Sequence, residues 1–176
     1  MNFCSQKGFN KQNIVATQEI NLKKAYNPLI EKELVVKNDV ILDNKGNSLI
    51  ITGPNTGGKT VILKTVGLCV YLTHLGFYIP ALEESTVGFF EKVFVDIGDE
   101  QSIENNLSTF SSHMTNIINI LNNTNEKSLI LLDELCSGTD PSEGAVLSIA
   151  LLDKFKELNA TMLCTTHYPE IKNYCF

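Results

Sequence analysis

Two short stretches of this sequence combine residue types that do chemistry on phosphates. The first is Gly53-Pro54-Asn55-Thr56-Gly57-Gly58-Lys59-Thr60, which fits the spacing Gly-x4-Gly-Lys-Ser/Thr at every constrained position. Its glycines let the backbone fold around phosphate oxygens with no Cβ in the way. Successive N–H groups and a following helix N-terminus then face a polyanion. Lys59 supplies a point charge toward the β and γ phosphates, and the Thr60 hydroxyl suits Mg2+. The second stretch is Leu129-Ile130-Leu131-Leu132-Asp133-Glu134, four apolar residues and then two acids. Asp133, at the end of a buried strand, can hold Mg2+ directly or through water. Strand side chains alternate, so Glu134 is expected to point elsewhere and to polarise an attacking water as a general base.

Taken alone, the acid pair is equally a strand that ends in a solvated turn, and the loop upstream is what favours the first reading. A Glu directly after the Asp points to ATP hydrolysis. A kinase would need an acceptor site and a lid rich in Arg, and no Arg-rich segment is present. Three further segments carry polar groups at element ends. Ser108-Thr109-Phe110-Ser111-Ser112-His113-Met114 puts hydroxyls at a helix start, either a second anion site or a plain N-cap at Ser108. Ser137-Gly138-Thr139-Asp140-Pro141 follows the acid pair, and Asp140 taken singly is a turn residue. Thr165-Thr166-His167-Tyr168 closes a strand with a polar His, which taken singly is a satisfied strand-end histidine.

These groups need a frame, and the apolar patterning supplies one. Glu33–Leu42 contains two short β-like runs, and Asn44–Asn47 reads as a tight turn. Buried strands are expected at Ser48–Thr52, Lys92–Asp96, Ser128–Asp133 and Thr161–Thr166. Helices are expected over Lys59–Leu75 with Gly76 as the C′ residue, Ser111–Leu121, and Glu143–Leu158. Strands alternating with helices imply βαβ units and an α/β fold with a mainly parallel central sheet flanked by helices. The first 20 residues have weak periodicity and read as a lead-in, with the core from residue 21 to 176.

Of the 176 residues, 43% are hydrophobic and 19% charged, and the formal net charge is −6. That is the profile of a globular core rather than a disordered tail. The acidic balance argues against a freestanding nucleic-acid binder, which needs a basic patch. Cys4, Cys69, Cys136, Cys164 and Cys175 form no CxxC pair, and no Cys/His cluster has zinc spacing. With no apolar leader at the N-terminus, reduced thiols in the cytoplasm are the simple expectation. Val61–Ala81 is the most apolar long stretch, but Lys64, His74, Gly76 and Pro80 interrupt it, so it reads as a buried helix and a loop, not a membrane span.

In this order, GPNTGGKT, DIGDEQSIENNLSTFSSHM, LLDELCSGTDPSEG and TTHYPEIKNY resemble the ABC-type P-loop ATPase of the MutS family, most of all its second type. The resemblance runs from about Ile20 to Phe176 and includes INLKKAYNPLI as the lead-in to the core. It implies ATP and Mg2+ as ligands, with Gly53 to Thr60 on the phosphates, Thr60 and Asp133 at the metal, and Glu134 activating water. It implies a Q-loop role for Gln101, a signature-serine role for Ser108, a D-loop role for Asp140 and a switch role for His167. It also implies a homodimer with ATP sandwiched between subunits, each chain giving half of every site. Members of the second type typically carry a nicking Smr domain, and are linked to recombination control or to splitting stalled ribosomes. DNA or a ribosome would be gripped by regions outside this chain. The alternatives are a nucleotide-gated dimerisation module without hydrolysis, or another ABC-type ATPase. A transporter nucleotide-binding domain would carry an LSGGQ signature, where this chain has STFSSHM. Two positions depart from the family pattern. Tyr26 and Asn27 stand before Pro28 in place of a basic residue and His, and Cys136 stands where Gly or Ala is usual. The sequence stops nine residues after His167, where the family core continues, so a piece of a longer ATPase domain, or a truncated reading frame, is expected.

Overall fold

The computed structural model describes residues 8–43, 48–54, 57–98 and 106–174, with the backbone alone for 106–109 and Asn173. The chain divides into two compact units, Met1–Gly46 with Val61–Phe90, and Asn47–Thr60 with Glu91–Phe176.

The second unit carries a four-stranded sheet built from β4 (Ser48–Thr52), β6 (Lys92–Asp96), β7 (Ser128–Leu132) and β8 (Thr161–Thr166). The spatial order is β4-β8-β7-β6, and every neighbouring pair is parallel. The two inner strands are buried at every residue, whereas β4 and β6 are half-exposed. A strand covered on both faces needs a mostly apolar run, which Leu129–Leu132 and Met162–Cys164 supply. Helices α2 (Asn106–Asn123), α3 (Pro141–Glu157) and α4 (Glu170–Tyr174) complete the unit. Ile117, Ile120, Leu152, Phe155 and Ile171 from these helices share one core with Ile130, Leu132, Met162 and Cys164 of the sheet. The side chain of Asp140 caps α3 by accepting from the N–H groups of Ser142 (2.9 Å) and Glu143 (3.3 Å), with Pro141 in the first turn.

The first unit departs from the expected architecture. It holds a second four-stranded sheet in the order β1-β5-β2-β3, formed by β1 (Asn13–Val15), β2 (Ile20–Ala25), β3 (Asn38–Leu42) and β5 (Thr86–Gly88). Only the β1–β5 pair is parallel, and the other two pairs are antiparallel. Its strands are short, and β2 alternates buried with partly exposed residues, the habit of an antiparallel sheet with one wet face. A register shift between Leu22 and Ala25 coincides with Lys24 at φ 50°, where the Lys24 N–H is taken by Asp39 Oδ1 at 2.8 Å. Helix α1 (Lys59–His74) starts in the second unit and continues through the first. It ends as expected, on Gly76 at φ 77°, with Gly76 N–H to Thr73 O at 3.0 Å and Phe77 N–H to Leu72 O at 2.8 Å.

Candidate functional site

Because all four strands of the second unit's sheet are parallel, their carboxyl ends lie along one edge. Thr52 pairs in register with Thr166, and Leu132 pairs with Cys164 and Asp96. The loop at Gly53, the acids at Asp133 and Glu134, and His167 therefore follow strand ends on the same edge. Crevices at the carboxyl edge of such sheets are where open α/β folds bind ligands.

The loop after β4 is built around its lysine. Lys59 is 4% exposed, and its Nζ donates to the Gly53 carbonyl at 2.7 Å. Gly58 sits at φ 76°, a backbone conformation that side chains with a Cβ rarely adopt. A Cβ placed on Gly53, Gly57 or Gly58 meets nothing within 4 Å among the described residues. Pro54 accepts a backbone bond from Gly57 at 3.1 Å, and Thr60 lies half-buried in the first turn of α1. Asn55 and Thr56 lie outside the described residues.

The acid pair follows β7 directly. Asp133 is 8% exposed, its N–H donates to Asp96 O at 2.8 Å, and its Oδ1 accepts from Thr165 Oγ1 at 2.5 Å. Strand pleating does not reach Glu134, contrary to expectation: β7 stops at Leu132, and Glu134 occupies a left-handed turn at φ 49°. Its N–H donates to Thr165 Oγ1 at 2.9 Å. Cys136, in the same turn, also lies in the left-handed region, at φ 59°. Burial pushes its thiol above the ordinary range, partly opposed by a hydrogen bond with Ser148.

The remaining expected residues divide by position. Asp140 is the N-cap of α3. His167 is exposed on the common edge, its ring tilted onto Tyr168 at 4.4 Å between centroids. Ser108 lies in the first turn of α2, where only the backbone is described, and Gln101 lies outside the described residues. Thr60 and Asp133 offer hard oxygen donors, the set Mg2+ takes when phosphates supply the rest. Among the described residues, no group of three or more His, Cys, Asp or Glu forms a protein-only metal cage.

Two features carried no role in the sequence reading. Asp96 ends β6 and accepts from His113 Nδ1 and from Asn116 Nδ2, both at 2.8 Å, tying α2 to the strand beside the acids. A Cβ on Gly98 would fall 2.8 Å from the His113 ring, so that ring lies close over the backbone. Thr165 lies under both acids. Its one legible signal was its place in a Thr-Thr-His strand end.

The family model described as MutS domain V matches residues 49–175. The chain belongs to the MutS family. Among its MutS relatives is the endonuclease MutS2 of Pediococcus pentosaceus, 60% identical over 161 residues, which is 92% of this chain and 20% of that protein. The endonuclease MutS2 of Listeria innocua is 57% identical over 155 residues, 88% of this chain and 20% of its own length. That of Bacillus cereus is 49% identical over 181 residues, 99% of this chain and 23% of its own. The resemblance within the family is thus to the second MutS type. The chain spans about a fifth of the length of the curated relatives it matches. Among the described residues, no helix is long and apolar enough to cross a membrane.

Proposed function

We propose that this chain is the ABC-type P-loop ATPase core of a cytoplasmic MutS protein, with the core at residues 21–176, and that it binds and hydrolyses ATP with Mg2+ between two subunits. One observation carries the proposal: the Gly-rich loop with its buried Lys59, the Asp133-Glu134 pair and His167 follow strand ends on one edge of a single parallel sheet.

In this reading the loop from Gly53 to Thr60 cradles the phosphates with its N–H groups from Asn55 on, and Lys59 leaves the Gly53 carbonyl for the β and γ oxygens. Thr60 and Asp133 hold the metal, which when bound screens the phosphate charge. Glu134 accepts a proton from the attacking water, and His167 orients the γ-phosphate from the neighbouring strand. Gln101 senses the phosphate, and Ser108 and Asp140 serve the nucleotide held mainly by the other subunit. Closure on ATP and release after hydrolysis then change the affinity of the two subunits for each other. The work done on a DNA or ribosome substrate, and any endonuclease activity, belong to the whole protein.

Phosphate release measured at rising protein concentration tests this. Specific activity is expected to climb with concentration, because each site is completed by a second chain. Glu134→Gln is expected to lower kcat by about 10²–10⁴-fold while nucleotide binding persists, and to leave an ATP-bound dimer visible by light scattering. Equal turnover in the variant and the parent removes Glu134 from the role. ATP-dependent dimerisation without Mg-dependent phosphate release, in parent and variant alike, makes the chain a nucleotide gate rather than an enzyme.

A further inference from the structure

The turn that carries the two acids is strained and is held from outside. Glu134 at φ 49° and Cys136 at φ 59° occupy a backbone region that costs a non-glycine residue energy and persists only when neighbours enforce it. The enforcing contacts come from β8 and the residues just after it. Thr165 Oγ1 donates to Asp133 Oδ1 at 2.5 Å and accepts the Glu134 N–H at 2.9 Å. The Thr165 carbonyl accepts the Leu135 N–H at 3.0 Å. The Tyr168 hydroxyl donates to the Cys136 carbonyl at 2.8 Å, and the Tyr168 N–H is taken by Thr166 Oγ1 at 3.1 Å. Thr165 is fully buried and Tyr168 is 2% exposed, so water does not replace these bonds when they are lost. Gly144 leaves the space that the Tyr168 hydroxyl occupies, since a Cβ there would lie 2.2 Å from it.

We infer that Thr165 and Tyr168 are positioning residues that fix the acid turn, and that through them the strand bearing His167 sets the orientation of Glu134. The inference rests on the hydrolytic role proposed for Glu134. The chemistry is that of a clamp: one hydroxyl spans a carboxylate and the next backbone N–H, and a second hydroxyl holds the carbonyl two residues further on. His167 lies between the two clamping residues, and its ring rests against Tyr168. A change at His167 on meeting a γ-phosphate therefore has a short mechanical route to the base.

The test uses the full chain with Thr165→Val, Thr165→Ser and Tyr168→Phe. Val keeps the shape and deletes the hydroxyl, Ser restores the hydroxyl, and Phe keeps the ring against His167. In the nucleotide-free protein, the amides of residues 134–136 are expected to exchange at least tenfold faster in Thr165→Val and Tyr168→Phe, and at close to the parental rate in Thr165→Ser. In turnover, Thr165→Val is expected to lose 10–100-fold in kcat and Tyr168→Phe about tenfold, with KM and the affinity for a fluorescent ATP analogue within threefold. Thr165→Ser is expected to retain kcat within threefold. Parental exchange at 134–136 in both Thr165→Val and Tyr168→Phe overturns the clamp, whatever the activity. Faster exchange with unchanged kcat in a hydrolysing parent overturns the link to Glu134 alone. A parent with no Mg-dependent turnover at any concentration overturns both that link and the hydrolytic role.

Discussion

Gly144 has no room for a side chain, and a single methyl measures how tightly the acid turn is held. A Cβ there would lie 2.2 Å from the Tyr168 hydroxyl and 3.1 Å from the Cys136 carbonyl. In an ordinary helix interior Gly→Ala stabilises by about 0.5–1 kcal/mol. In α3 the clash reverses the sign, and Gly144→Ala is expected to cost about 1–3 kcal/mol in urea unfolding. A stabilised variant would contradict the close approach. The thiols give a second residue-scale test. Burial pushes Cys69 up to about 12 and Cys136 above its ordinary value. The thiolate is the reactive form, so native protein treated with iodoacetamide at about pH 8 is expected to stay unmodified at both positions by mass spectrometry, while unfolded protein reacts. Cys136 is thus a buried thiol whose reactivity burial lowers. At this scale the Gly-rich loop was legible because its residue types and spacing form one contiguous motif. Thr165 and Tyr168 were not legible as a clamp, since their hydroxyls meet backbone groups 31 and 32 residues away.

Among the elements, β4, β6 and β8 fall where their apolar runs place them, and α1 stops at its glycine. Only the second of the two runs expected over Glu33–Leu42 forms a strand, β3, while residues 32–34 turn. Strands β1, β2 and β5 went unread because two are three residues long and the third carries Lys23 and Lys24. Their pairing with one another is what makes strands of them, and no periodicity announces it. Two element ends carry predictions. Asp140→Ala is expected to destabilise by about 1 kcal/mol, because two N–H groups at the start of α3 lose their acceptor. At the end of α1, burial lowers the pKa of His74 from its ordinary value, and its Nε2 accepts the Phe90 N–H at 3.3 Å. The unfolded chain therefore binds this proton more readily than the folded one. The stabilisation is complete above the unfolded value near 6.5 and is lost as pH falls through and below it. The melting temperature is expected to fall between about pH 7.5 and about pH 5.5, and to fall less in His74→Gln.

For the whole molecule, the charge of −6 bears on partners. A chain with 14 Lys and Arg against 20 Asp and Glu carries a net charge that a phosphate backbone repels. This chain alone is therefore expected not to retard duplex DNA at about 150 mM salt in a gel-shift assay; retardation would mean a local basic surface outweighs the total. What the sequence determined by itself was the parallel sheet's strands and the MutS family, and it singled out the loop and the acid pair as candidates. Each depends on residues close together in the chain, where type and spacing are visible without the fold. Tertiary structure decided which groups share an edge, because strand order puts β8 between β4 and β7 against the order of the sequence. It also decided that the described residues build two sheets, one of them mostly antiparallel, since pairing between short strands is fixed by partners far along the chain. And it decided that Glu134 stands in a left-handed turn rather than on a pleat, because the hydrogen bonds that hold that turn come from β8.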